Sequence, residues 1–364
     1  MTTGSVGTSK YELDTPALMV DLDKMESNIN RMTDTFREAG VNWRPHIKGV
    51  KVPAIAHIEL GAGAIGVTCA KLGEAEVMAS AGIKDILIAN QIVGSVKVKR
   101  LVNLVRHADV IATVDSAQNI RELDAAAGEI GVQPRVVVEV NVGTNRCGVD
   151  PGKAAVDLSH EVDRSQNLRY VGLMGYEGHT AGMPNGSDKK KAVEEAVGLL
   201  TMSARMCGEA GLSVEIVSCG GTGTYVISSW IPGVTEIQAG GGIFSDMFYA
   251  NAGVKHEFAI TVLTTVVSRP TPDRIVVDGG RKTMMIEIAK PKPMDILGVG
   301  SLGFSAEHTT INLEDPSESP RIGDKVEFIV GYGDTTVCLH DEMYGIRSGM
   351  VETVWPILGR GKLR

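Results

Sequence analysis

The sequence predicts a (β/α)8 TIM-type barrel joined to a mainly β C-terminal domain. Three observations carry this expectation. Short β-branched or apolar runs alternate with longer amphipathic stretches up to residue 239, as βα units of a parallel sheet require. Beyond residue 256 such runs follow one another across turn-forming stretches, with no long helical period between them. The length of 364 residues suits a barrel plus a smaller companion domain.

The strand-like runs are 17–22, 42–47, 64–68, 84–89, 109–114, 135–141, 169–174, 213–218 and 234–239, and helical periodicity marks 23–39, 71–81, 116–129 and 188–210. Nine runs exceed the eight strands of a barrel, so run 17–22 is assigned elsewhere and the barrel starts at 42. The later runs 258–267, 274–278, 325–330 and 351–355 are separated by turns such as Pro270-Thr271-Pro272-Asp273. The expected division is a barrel over 23–255 and a β-domain formed by 1–22 with 256–364.

Composition narrows the function classes. Hydrophobic residues make up 43% and charged residues 22%, ordinary for a globular protein. The net charge is −8, and the longest basic cluster, Lys189-Lys190-Lys191, reads as the solvated start of a helix, so nucleic acid is not an expected partner. Five cysteines, with no Cys-x-x-Cys pair, argue against a disulfide framework and a structural zinc. No apolar run approaches the roughly 20 residues that span a bilayer, and residues 1–10 lack the apolar core of a signal peptide. No membrane association is expected, and the default location is a reducing cytoplasm.

The chemistry centres on Lys48, which ends the run Arg44-Pro45-His46-Ile47-Lys48, and on the glycine-rich stretch Ser218-Cys219-Gly220-Gly221-Thr222-Gly223. A lysine at one strand end and a phosphate cradle at another suggest pyridoxal 5'-phosphate held as a Schiff base, with backbone N–H groups around its phosphate. Active sites of such barrels form at the C-terminal strand ends. Those ends carry Lys48, Asn90, Asp115, Asn141 with Arg146, Tyr176 with His179, the 220–223 loop, and Gln238-Ala239-Gly240-Gly241. Turn preference accounts for Asn90 and Asp115 but not for Lys48, Arg146 or Tyr176, none of which is a turn former.

Ordered landmarks over nearly the whole chain then carry a resemblance. They are Asp14-Thr15-Pro16, Arg44-Pro45-His46-x-Lys48, Asn145-Arg146-Cys147-Gly148-Val149, Gly220-Gly221-Thr222-Gly223, Glu236-Ile237-Gln238-Ala239-Gly240, Asp278-Gly279-Gly280-x-Lys282, Glu307-His308, Leu339-His340-Asp341 and Val351-Glu352-Thr353-Val354-Trp355-Pro356. The chain resembles the fold type III pyridoxal-phosphate enzymes with alanine racemase-like barrels. Within them it looks like the D-threonine aldolase, 3-hydroxy-D-aspartate aldolase and D-serine dehydratase group. The resemblance implies that Lys48 is the Schiff-base lysine and that Arg146 lies against the cofactor's phenolic oxygen. It further implies that Gly221, Thr222, Gly223, Gly240 and Gly241 bind the phosphate, with Tyr176 and Gln238 in the cofactor site. A homodimer is also implied.

Departures from that group cluster at one place. Its members hold a divalent cation (Mn, Mg or Zn) with a His-x-Asp or His-x-Cys pair, whereas this chain has Tyr332-Gly333-Asp334. Asp334 is the surviving candidate ligand, and one carboxylate without an imidazole is a poor site for manganese or zinc. Val50 replaces a histidine common two residues after the lysine, and Glu177-Gly178 separates Tyr176 from His179. The expected activity is a lyase on a small-molecule β-hydroxy-D-amino acid, cleaving it to an aldehyde and glycine or another small amino acid. His179 is the expected base, helped or replaced by Tyr332. A dehydratase and a racemase are the alternatives.

Overall fold

The structure is a computed structural model, and residues 6–364 are described. The chain divides into two compact units. One comprises residues up to Ile29, Gly242–Asn251 and Lys255–Arg360; the other comprises Asn30–Gly241, Ala252–Val254 and Gly361–Arg364.

β1 (Ala17–Asp21) stands outside the barrel, and helix α1 (Leu22–Ala39) carries the chain into it. The barrel strands are β2 (Asn42–Trp43), β3 (Val67–Cys69), β4 (Asp85–Gln91), β5 (Asp109–Val114), β6 (Arg135–Glu139), β7 (Arg169–Met174), β8 (Ile216–Cys219) and β9 (Glu236–Ile237). All pair in parallel, in the order β2-β9-β8-β7-β6-β5-β4-β3. A parallel bridge between His46 and Thr68 joins the two ends of that order, supported by Ile65 N–H to Trp43 O at 2.9 Å and Thr68 N–H to Pro45 O at 2.8 Å. The interior is filled by one or two apolar residues from each of several successive strands: Leu87, Ile111, Val137, Val171, Met174 and Ile216.

The crossovers are α2 (Pro53–Gly61), α3 (Leu72–Ser80), α4 (Ser95–Leu104), α5 (Ala117–Ile130), α6 (Lys153–Asp163), α7 (Ser187–Glu209) and the short α8 (Tyr225–Ser228). Their caps follow composition. Ser116 accepts from the Asn119 N–H at the start of α5, and Gly131 ends it at φ 68°.

Two expectations need correction. Run 42–47 is a strand only over Asn42–Trp43, followed by a 3₁₀ turn over Ile47–Gly49, because Pro45 has no N–H to give a ladder. Lys189 is not solvated: it is 1% exposed, and Nζ donates to the carbonyls of Ala252 (3.2 Å) and Ala181 (3.4 Å). The α7 period turns Lys189 inward while Lys190 and Lys191 stay exposed beside Glu194 and Glu195.

The second unit contains the short helices α9 (Met247–Asn251) and α10 (Gly333–Thr336). Its strands are β10 (Ile260–Thr271), β11 (Arg274–Val277), β12 (Lys292–Pro293), β13 (Val299–Phe304), β14 (Thr309–Leu313), β15 (Lys325–Ile329), β16 (Glu342–Arg347) and β17 (Met350–Pro356). The sheet order is β13-β14-β11-β10-β1-β16-β17, with β15 pairing to β10 and β12. β1 is antiparallel to β10 and parallel to β16, which is where the surplus ninth run belongs. Leu13, Ala17, Met19, Leu263, Tyr344, Ile346 and Val351 form one of its cores. No helix among the described residues is long and apolar enough to cross a membrane.

Candidate active site

The lysine is set by its turn. His46 caps the Ile47–Gly49 turn, its Nδ1 accepting the Lys48 N–H at 3.3 Å. That bond requires an unprotonated Nδ1. Burial, followed by the charges of Lys48 and Lys51, pushes the His46 imidazole well below its usual range, and the Arg146 cation adds to the effect. Lys51 is buried with φ 59°, a conformation uncommon for a residue with a side chain. Its ammonium pairs with buried Glu74, whose other oxygen accepts from the N–H groups of Ala70 (2.8 Å) and Lys71 (3.2 Å). The turn bearing Lys48 is thus fixed on both sides. Val50 is fully buried and presents nothing to the rim.

Lys48, the 220–223 loop and the 240–241 segment lie at adjoining strand ends. The Gln238 N–H donates to Cys219 O at 2.9 Å, and the Gln238 carbonyl accepts from His46 N at 3.1 Å. Its side-chain amide is buried and turned to Ser218 Oγ at 2.8 Å, so it ties β9 to β8. A Cβ at Gly240 would lie 2.2 Å from His46 O, and one at Gly223 would lie 2.4 Å from Ala181 O. Both positions therefore exclude any side chain. Tyr176 lies against Gly221, where a Cβ would be 3.0 Å from its ring.

Thr222 is 4% exposed, and its Oγ1 has no hydrogen-bond partner. A buried hydroxyl is seldom left unpaired, and an anion seated in the loop would supply the acceptor. The residues therefore fit pyridoxal phosphate: Lys48 at one strand end, Gly240 and Gly241 at the next, and a glycine loop with an orphaned hydroxyl at the one beyond.

Arg146 and His179 follow β6 and β7, next along the rim from the 220–223 loop. Asn141 Oδ1 accepts the N–H groups of Gly143 and Asn145, both at 3.1 Å, closing a turn in which Asn145 takes φ 52° and Arg146 follows, exposed. The His179 ring packs on that turn; a Cβ at Gly143 would be 2.8 Å from its Cε1. His179 is exposed. Below Arg146, burial raises the Glu139 carboxyl while a hydrogen bond from Gln91 and the Arg146 charge oppose the shift. Asn90 and Asp115 serve structure: Asn90 donates to Ala70 O at 2.9 Å, and Asp115 accepts from Gly148 N at 3.1 Å.

Tyr332 and Asp334 belong to the other unit, where the Tyr332 hydroxyl donates to Asp334 Oδ2 at 3.0 Å. Sequence reasoning missed their support. Asp246 is buried, accepting Gly333 N–H at 2.8 Å and Tyr249 N–H at 3.0 Å. Burial pushes its carboxyl up to about 7. Phe248 meets the Tyr332 ring edge-on and Tyr249 meets it tilted, at centroid distances of 5.2 and 6.2 Å. The only sequence signal was the aromatic pair following Asp246.

His340 and Asp341 do not replace the missing ligand. His340 Nε2 bonds Thr283 O at 2.9 Å, and Asp341 pairs with Arg360. No three His, Cys, Asp or Glu side chains among the described residues are grouped to hold an ion. One carboxylate already engaged by a phenol is not a donor set that fits a divalent cation.

Comparison with known proteins agrees with this geometry. Residues 20–247 match the model of the alanine racemase N-terminal domain, and residues 259–346 match that of a putative serine dehydratase domain. A 3-hydroxy-D-aspartate aldolase of Paracoccus denitrificans (strain Pd 1222) is 34% identical, over 98% of this chain and 94% of its own length. A D-threonine aldolase of an Arthrobacter species is 32% identical, over 96% and 93%. The crystal structure of D-threonine aldolase from Filomicrobium marinum superposes with a TM-score of 0.96 at 36% identity, over the full length of both chains. With its lysine-bearing barrel, glycine cradle and β-domain, this chain belongs to the alanine racemase-like family of pyridoxal-phosphate enzymes that includes the 3-hydroxy-D-aspartate and D-threonine aldolases.

Proposed function

We propose that this chain cleaves a β-hydroxy-D-amino acid by a retro-aldol step to an aldehyde and glycine or another small amino acid. The observation that carries the reading is the glycine loop with its orphaned Thr222 hydroxyl, two strands along the rim from the end bearing Lys48. Pyridoxal phosphate, when bound, supplies a sink for the electron pair of the broken Cα–Cβ bond. Lys48 Nζ is the group that would hold it covalently. Thr222 and Gly223, with Gly240 and Gly241, would receive its phosphate, and Arg146 would neutralise its phenolate. His179, in the site's exposed rim, removes the proton of the β-hydroxyl, whose oxygen becomes that of the aldehyde. A proton returned to Cα completes the amino-acid product.

Tyr332, held by Asp334, Phe248 and Tyr249, is the second candidate for handling the β-hydroxyl proton. With no fitting donor set for a cation, turnover is expected to survive a chelator. We also take the enzyme to be a homodimer in a reducing cytoplasm; its five free cysteines are compatible with that compartment.

The match to a serine dehydratase domain favours a second reading, loss of the β-hydroxyl to give a keto acid and ammonia. The test is a screen of D- and L-β-hydroxy-amino acids on cofactor-loaded enzyme, with and without chelator, assaying aldehyde and keto acid in parallel. Aldehyde from D-substrates supports the aldolase, and keto acid with ammonia supports the dehydratase. His179→Ala should lower kcat by about 10²–10⁴-fold if His179 is the base. Full turnover in that variant would move the role to Tyr332.

A further inference from the structure

We propose that Glu177 is a positioning residue that sets the protein's affinity for the cofactor's phosphate by locking the 220–223 loop in its binding shape. The proposal rests on reading that loop as the phosphate cradle. Glu177 is 0% exposed, and among the described residues its carboxylate is in no ion pair. Its three donors are neutral and all come from the loop and the turn after it. Oε2 accepts Gly220 N–H at 3.2 Å, while Oε1 accepts the hydroxyls of Thr224 at 2.6 Å and Ser228 at 2.5 Å.

A buried carboxylate carries a large desolvation cost, and hydrogen bonds to it are shorter and stronger than neutral ones. A neutral side chain would close the same space at lower cost. What the charge adds is direction. Thr224 gives its proton to Glu177, so its oxygen is left to receive Gly221 N–H at 3.1 Å. The N–H groups of Gly220 and Gly221 are thereby turned into the protein, and Thr222 and Gly223 are the loop residues left to face a ligand. The loop does not have to be ordered by the ligand, which is how preorganisation raises affinity.

Glu177 also joins this loop to the neighbouring strand end. Its carbonyl accepts Thr180 N–H at 3.0 Å and Thr180 Oγ1 at 2.8 Å, within the turn bearing Tyr176 and His179.

The test compares pyridoxal phosphate with pyridoxal, which lacks the phosphate, as titrants of apo-protein, read by the absorbance of the lysine adduct. Glu177→Ala should weaken pyridoxal phosphate by about 10–100-fold, the scale of losing one to two buried hydrogen bonds, and leave pyridoxal within about threefold of wild type. Glu177→Gln keeps an acceptor for Gly220 but turns amide N–H groups toward the two hydroxyls and reverses them. It should therefore weaken pyridoxal phosphate by about 3–10-fold, less than Glu177→Ala, and leave pyridoxal within about threefold. Equal weakening of both titrants by Glu177→Ala, or weakening of neither, would overturn the proposal. If that variant does not fold, Ser228→Ala removes one donor, and a ratio equal to wild type would overturn the proposal equally. A wild type that binds the two titrants alike would instead sink the phosphate reading itself.

Discussion

The two ends of the barrel are built on opposite rules. Where the strands begin, charged residues satisfy one another. Arg44, 1% exposed, reaches Asp85 at 2.7 Å and Glu236 at 3.1 Å. Arg135 reaches the same Asp85 at 2.6 Å and Asp109 at 2.7 Å, and Arg169 pairs with Glu215. Where the strands end, the chain tolerates left-handed Lys51 and Asn145, an orphaned Thr222 hydroxyl and glycines pressed against carbonyls. The strand-start end spends its polar groups on itself, whereas the strand-end rim leaves the Thr222 hydroxyl without a partner, as the proposed phosphate site requires. On that proposal, the broken folding rules mark where a ligand would bind.

Substitutions at the two ends should therefore fail in different ways. The largest effect belongs to Lys48→Ala. Turnover should fall by at least about 10³-fold and the lysine-adduct absorbance disappear, since the covalent group is removed. The apo-protein should melt as wild type does. A variant that instead lost much stability would break the comparison.

Arg44→Met should do the reverse. It strands the buried Glu236, while Asp85 keeps Arg135, and should cost about 3–5 kcal/mol in denaturant unfolding of apo-protein. The molecules that stay folded should bind the cofactor as wild type does. Adding Glu236→Gln should recover part of the loss, because the stranded charge rather than the missing bond dominates.

The smallest effect sharpens the rule at its exception. Glu59, in the last turn of α2 at the strand-start end, is 0% exposed, and neither carboxylate oxygen has a partner. Burial alone raises its carboxyl well above the usual 4.5. A folded-state value above the unfolded one gives stability that is full below about 4.5 and is lost as pH rises toward the folded value. Glu59→Gln should flatten that decline and add about 1–2 kcal/mol at pH 8, measured as the difference between two pH–stability curves. Parallel curves for variant and wild type would show that Glu59 has a partner in solution.

Much of the fold was legible because periodicity is local. Alternating runs and amphipathic stretches reported the βα units, and the surplus run 17–22 was assignable by counting. Lys48 and Arg146 stood out as candidates because their residue types are poor choices for plain turns, and the glycine loop because a second glycine-rich stretch follows the neighbouring strand. Glu177 was passed over although it lies between two chosen residues, since spacing does not show which way a carboxylate turns. Lys189 was misread for the same reason: a triplet of lysines looks solvated until the helix phase turns one of them inward.

The sequence by itself determined the class of fold and singled out Lys48 and the 220–223 loop as candidates, because propensity, period and chemical rarity are properties of short stretches. Only the tertiary structure decided which polar groups meet. The Arg44 network joins residues up to 192 positions apart, and Glu177 reaches Ser228 across 51. Such pairings depend on strand order and register, which the chain acquires only when distant segments pack and water is excluded between them.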